Sequence, residues 1–215
     1  MKNVYVILSS TPTLIGKIVR LFTSSSFNHS SISLTEDWSE MYSFARYRAA
    51  NPLVGGFVKE FPQRLSLGSN KKVEIKVYRI PVNEEQYSKI KLFIYNIKDD
   101  EEENIYNSME ALGVLFKWEF YAKKAYTCSN FVANSLVIGD VLLSENISKN
   151  IIPDEIQTLL DKYIWFCGCL NNYTPVKGVS YDTKDFFTKQ NLINEIFGTF
   201  HHFNNLIKRR NKSNC

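Results

Sequence analysis

The chain has 215 residues, 44% of them hydrophobic and 14% aromatic, with a formal net charge of +4. That composition excludes a disordered or fibrous chain and suffices for one sizeable core. The charge is mild and forms no basic stripe, which argues against a nucleic-acid partner, and no run approaches the ~20 apolar residues of a membrane span.

Val4 to Leu8 is a continuous apolar run and reads as a strand buried on both faces. Ser9-Ser10-Thr11-Pro12 follows at once. The run is therefore too short for a secretory leader, and a cytoplasmic location with reduced thiols is expected. Thr11 can cap a helix that Pro12 opens, with Leu14, Ile15, Ile18, Val19 and Phe22 on its apolar face. Thr23 to Ser26 is a polar loop. Phe27 to Leu34 is the next strand, with His29, Ser31 and Ser33 on one face and Ile32 and Leu34 on the other.

Glu36 to Ser39 forms a turn, and Met41 to Arg46 returns as its hairpin partner. Residues 47–57, with Pro52 and Gly55-Gly56, read as an irregular loop. Val73 to Arg79 alternates as a strand. Asn83 to Gln86 resembles a capping box, and Tyr87, Ile90, Ile94 and Ile97 continue at helical spacing. The charged run Lys98–Glu103 separates that helix from another over Ile105–Leu112, and Phe116–Ala122 leads on from there.

Ala125-Tyr126-Thr127-Cys128-Ser129-Asn130 then sets a cysteine at the start of a helix, with Thr127 as N-cap. Phe131, Val132, Ser135 and Leu136 form its inner stripe. Open N–H groups and the helix dipole favour an anion at that end, so the position activates a thiol. Beyond it come a helix from Pro153, a strand over Tyr163–Leu170, a hinge at 171–184, and one long helix over Asp185–Lys208. Phe186, Ile193, Phe197, Phe200 and Ile207 share a face of this last helix, and such a stripe packs on a core. A groove cover or a membrane-surface helix is the alternative.

The four cysteines are Cys128, Cys167, Cys169 and Cys215; the three histidines are His29, His201 and His202. Cys167-Gly168-Cys169 with His201-His202 lacks the spacing of a common zinc module, so no metal or other cofactor is expected. A thiol at a helix start and an imidazole on a strand are what a cysteine hydrolase requires. Cys128 and His29 are accordingly the candidate nucleophile and base.

The order of strand, short helix, "FNHSSISL", hairpin, "MYSFAR" and finally "YTCSNFVANSL" resembles the circularly permuted branch of the NlpC-type, papain-like cysteine hydrolases. The YiiX-like proteins are the nearest group, and lecithin:retinol acyltransferase belongs to a neighbouring one. The resemblance covers roughly residues 1–160, with the histidine preceding the cysteine as in the permuted order. It implies an α+β fold, with an antiparallel sheet or small barrel packed against helices and the nucleophile at a helix N-terminus. Cys128 matches the family's nucleophile and His29 its base. The polar residue that orients the imidazole falls on the strand after the histidine strand, where Ser43 is the small polar side chain; Glu36 and Glu40 are alternatives. Ser10, Thr11 and Tyr126 are implied to touch substrate.

The expectation is thus one permuted papain-like domain over 1–215, with 171–215 as a C-terminal extension bearing an amphipathic helix. It acts as a peptidase, amidase or acyl hydrolase on a small-molecule, peptide or lipid-like amide, ester or thioester. A catalytically inactive binding protein and a lipid acyltransferase are the competing readings.

Overall fold

Val4 to Leu8 is buried at every position, and β1 (Lys2–Ser9) accordingly runs through the interior of a sheet, hydrogen-bonded on both sides. The computed structural model describes residues 1–13, 25–69, 71–100, 102, 104–113 and 120–211. The expected helix carrying Leu14, Ile15, Ile18, Val19 and Phe22 lies outside the described residues. So do Thr23, Ser24, Glu101, Glu103, residues 116–119, Lys212 and Cys215.

The architecture is α+β. The strands are β1, β2 (His29–Ser33), β3 (Met41–Arg46), β4 (Gly55–Lys59), β5 (Glu74–Val82), β6 (Ile105–Tyr106), β7 (Ala125–Tyr126) and β8 (Ile164–Cys169). They form one eight-stranded sheet in the order β7-β6-β4-β3-β2-β1-β5-β8. Neighbours pair antiparallel except β6 and β7, which run parallel, so the sheet is mixed.

The helices among the described residues are α1 (Pro62–Ser66), α2 (Glu84–Lys98), α3 (Ser108–Gly113), α4 (Cys128–Ile138), α5 (Pro153–Leu160), α6 (Lys184–Phe187) and α7 (Leu192–Asn211). The capping box of α2 forms as its sequence implies. Asn83 Oδ1 accepts the Gln86 N–H at 2.9 Å, and Gln86 Oε1 accepts the Asn83 N–H at 3.1 Å.

Side chains alternate across a strand, so β1 feeds two cores. Val4, Val6 and Leu8 pack with Ile90 and Ile94 of α2, Phe131 and Leu136 of α4, and Ile156 of α5. Tyr5 and Ile7 face the other way, toward Trp38, Leu65 of α1 and Tyr173. Trp38 stacks on Tyr173 with ring centroids 4.7 Å apart. The Tyr173 and Tyr181 hydroxyls donate to the Glu36 and Asp37 carbonyls, which fastens segment 171–184 to that turn.

Three expectations are corrected. Gly55-Gly56 belongs to a strand, not a loop: the missing side chains let β4 lie close to its neighbours. A Cβ on Gly55 would overlap the Ala45 carbonyl, and one on Gly56 would overlap the Tyr47 hydroxyl and the Asn104 carbonyl. Ile105 and Tyr106 are strand residues and α3 starts only at Ser108, because Asn107 and Ile105 pair with backbone from the segment before α4. The long C-terminal helix is two helices. Asn191 Oδ1 accepts the Ile193 N–H at 3.1 Å and so caps α7 afresh. Ile193, Phe197, Phe200 and Ile207 then face outward and are exposed, while Leu206 and His202 make the inward face. Among the described residues, no helix is long and apolar enough to cross a membrane.

Candidate active site

β2 and β3 pair only through Ile32–Tyr42 and Ser33–Met41, so they part before reaching His29, the first residue of β2. Into that gap points the N-terminus of α4, which packs across β2 and β3. Thr127 is its N-cap: its hydroxyl accepts the Asn130 N–H at 3.2 Å. The helix start is anchored from outside as well. Asn130 Nδ2 donates to Glu110 Oε1 at 2.7 Å, and Asn107 Nδ2 donates to Glu110 Oε2 at 2.7 Å. The parallel pairing of Ile105 with Ala125 and Tyr106 with Tyr126 carries the chain into α4 from the sheet edge.

Cys128 and His29 line one cavity of about 140 Å³. A space of that size takes a group about as large as a benzene ring. Its wall includes Thr11, Asn28, Glu60, Arg64, Tyr106 and Phe186. His29 Nε2 lies 2.9 Å from Glu60 Oε1, and Arg64 Nε donates to Glu60 Oε2 at 3.0 Å. Glu60 and Arg64 are both buried. Arg64 also donates to the Arg46 carbonyl and stacks 4.2 Å over the Phe186 ring. The result is a continuous chain of contacts from the imidazole to a fixed guanidinium.

The electrostatics follow from that chain. Burial alone would lower the His29 pKa. The hydrogen bonds His29 donates to Cys128 and Glu60, and the charges of both, outweigh it and raise the value from 6.5 to about 10. Burial alone would raise the Cys128 pKa. The His29 hydrogen bond and charge, then the Ser30 backbone and hydroxyl, bring it from 9.0 down to about 7. Glu60 is held below the usual carboxylate range: burial opposes this, but Arg64 and His29 prevail. Between about pH 7 and 10 the site therefore holds a thiolate beside an imidazolium.

The residues expected at the site divide. Thr11 lines the cavity, and its N–H and hydroxyl both donate to Asn28 Oδ1, next to His29. The described residues that line the cavity include neither Ser10 nor Tyr126. Ser10 Oγ instead accepts the Glu74 N–H, tying β1 to β5, and the Tyr126 ring packs on Phe44. Ser43 does not orient the imidazole: its hydroxyl donates to the Ser30 carbonyl at 2.8 Å. Glu36 accepts from the Tyr5 hydroxyl and Glu40 from the Tyr95 hydroxyl, both away from His29.

Glu60 is the carboxylate in contact with the imidazole, and the sequence hides it because Gly55-Gly56 reads as a loop and not as β4. The available signal was the Glu60–Arg64 pair, four residues apart across a helix start marked by Pro62. The Cys167/Cys169 and His201/His202 pairs do not converge. β8 ends one side of the sheet, whereas His202 Nε2–H donates to the Tyr106 carbonyl on β6, near the other. Among the described residues, no group of three or more His, Cys, Asp or Glu is placed to hold a metal. No family model matches the chain, and no curated protein matches its sequence.

Proposed function

We propose that the protein is a cysteine hydrolase of the permuted papain-like type, with Cys128 as nucleophile, His29 as acid and base, and Glu60 as the residue that orients His29. The observation that carries this reading is the thiol at the α4 N-terminus sharing a cavity with an imidazole whose other side is fixed by a buried carboxylate. With Nε2 engaged by Glu60, Nδ1 is the nitrogen left to serve the thiol.

In the reaction the Cys128 thiolate attacks the carbonyl carbon of an amide, ester or thioester. The carbonyl oxygen becomes an oxyanion, held by the N–H groups of Cys128 and Ser129 that the Thr127 cap does not claim. The His29 imidazolium gives its proton to the leaving nitrogen, oxygen or sulfur as the C–X bond breaks. Neutral His29 then takes a proton from water, which attacks the thioester and frees the acid and the thiolate. The histidine-first order and the helix-borne thiol support the permuted papain-like assignment.

The test is an acyl-enzyme trap. Incubation with p-nitrophenyl acetate, an activated ester whose acetyl group is small enough for the cavity, should add one acetyl group to Cys128 by mass spectrometry. The adduct should be absent from Cys128→Ala. Hydrolysis that persists unchanged in Cys128→Ala would show that the reading is wrong.

A further inference from the structure

The outward face of α7 is unlike the rest of the surface. Leu192, Ile193, Ile196, Phe197, Phe200 and Ile207 follow one side of the helix, and Phe197 and Phe200 are 70% and 69% exposed. At 1.5 Å per residue, the stripe from Leu192 to Ile207 extends about 22 Å along this 20-residue helix. Burying such a face in the core normally stabilises a helix; here the core takes only the opposite side. Leu206 enters a cluster with Ile105, Phe120 and Ala122, His202 holds the Tyr106 carbonyl, and Arg209 holds the Lys124 carbonyl. The helix is thus fastened by one face and presents the other.

The charges along this segment are mostly positive, with Arg209 and Arg210 turned to the Lys124 carbonyl and the Phe120 ring and the two lysines left beside the stripe. From Thr188 to Asn211 the chain has four cations, Lys189, Lys208, Arg209 and Arg210, and one carboxylate, Glu195. Glu195 is turned inward, where its Oε2 accepts from Asn51 Nδ2 at 2.6 Å. Lys189 and Lys208, both exposed, flank the apolar stripe at its two ends. Beneath one edge, between α7 and residues 50–52, lies an apolar hollow of about 590 Å³ lined by Pro52, Leu192, Ile196 and Phe200. The hollow is apolar and has room for part of an acyl chain.

We infer that α7 is a membrane-docking helix, which lies in the plane of an anionic phospholipid surface with Phe197 and Phe200 inserted and Lys189 and Lys208 on the headgroups. An amphipathic helix with bulky apolar residues on one side and cations beside them binds in this way. The inference is independent of the chemistry at Cys128.

Vesicle flotation with the full chain tests it, using phosphatidylcholine alone and phosphatidylcholine with about one-third phosphatidylserine. The protein should float with the anionic vesicles, and less so at high salt. Phe197→Glu/Phe200→Glu should bind about a hundredfold more weakly, from the loss of two apolar anchors. Lys189→Glu/Lys208→Glu should bind more weakly to the anionic vesicles alone. Both variants change exposed side chains, and an unaltered thermal melt verifies their fold. Failure of the native chain to float, or flotation unchanged in both variants, overturns the inference. So does self-association in sedimentation that Phe197→Glu/Phe200→Glu abolishes without any vesicle binding, because the stripe would then belong to a second copy.

Discussion

His29 Nε2 and Glu60 Oε1 stand 2.9 Å apart, although 31 residues and two strands separate them in the chain. The contact fixes the imidazole ring and charges it, and Arg64 in turn fixes the carboxylate. Glu60→Gln keeps the shape and removes the charge. Turnover should fall about 10²- to 10⁴-fold, the range supplied by a positioned acid and base. Ser43→Ala loses only a bond to the Ser30 carbonyl and should leave turnover within a few-fold of the parent. Steady-state kinetics of both variants, with a thermal melt to verify folding, separates the two. Equal losses would deny Glu60 its orienting role.

The paired titrations set a pH window. The His29 pKa is raised, so its contribution to stability is full below 6.5 and is lost as pH rises through about 10. The Cys128 pKa is lowered, so its contribution is present above 9.0 and is lost as pH falls through about 7. The Cys128–His29 pair contributes to both shifts, Glu60 adds to that of His29, and both members of the pair are charged between the two limits. The second-order rate of Cys128 alkylation by iodoacetamide should therefore rise with a midpoint near pH 7. In His29→Ala the midpoint should move well above 7, because the His29 hydrogen bond and charge that lower it are gone while burial, which raises it, remains. kcat/KM should be bell-shaped, with limbs near 7 and 10. An alkylation midpoint unchanged by His29→Ala would show that the two groups are not coupled.

The parts of this fold that were legible in the sequence were set by local chemistry. The Val4–Leu8 run, the Asn83–Gln86 box and the Thr127 cap each declare themselves within a few residues, and each forms as written. A helix-start thiol and a strand histidine single out Cys128 and His29 in the sequence, and the two line one cavity. Features decided by tertiary contact were not legible. Gly55-Gly56 reads as a chain break, and only the neighbouring Ala45 and Asn104 carbonyls explain why glycine is needed in a strand there. Missing β4 meant missing Glu60, which follows it directly. Likewise the spacing of Phe197, Phe200 and Ile207 identifies a helical face but not whether anything covers it.

Gly56 is therefore a site where a methyl group should act at a distance. Its Cβ would meet both the Tyr47 hydroxyl and the backbone carbonyl of Asn104, and the second cannot rotate away. Gly56→Ala should push β4 from β6 and cost about 1–3 kcal/mol, as overpacking does. The same shift displaces Glu60 from His29, so turnover should drop along with the melting temperature. Denaturant unfolding and kinetics on one preparation check both, and a variant as stable as the parent would mean that β4 and β6 are less closely fitted than the structure has them.

Thr127 acts on both the fold and the thiol. Its hydroxyl satisfies the Asn130 N–H, so Thr127→Ala should cost about 1 kcal/mol, the usual loss for an N-cap. The bare N–H groups then fray or recruit water, and the end of α4 becomes less well ordered around Cys128. A thiolate gains from an ordered helix terminus, so the alkylation midpoint should also move upward from about 7. Thr127→Ser keeps the acceptor oxygen and should restore both quantities. Loss of stability with no movement of the midpoint would assign the thiolate wholly to His29 and Ser30 and leave the helix end without electrostatic influence.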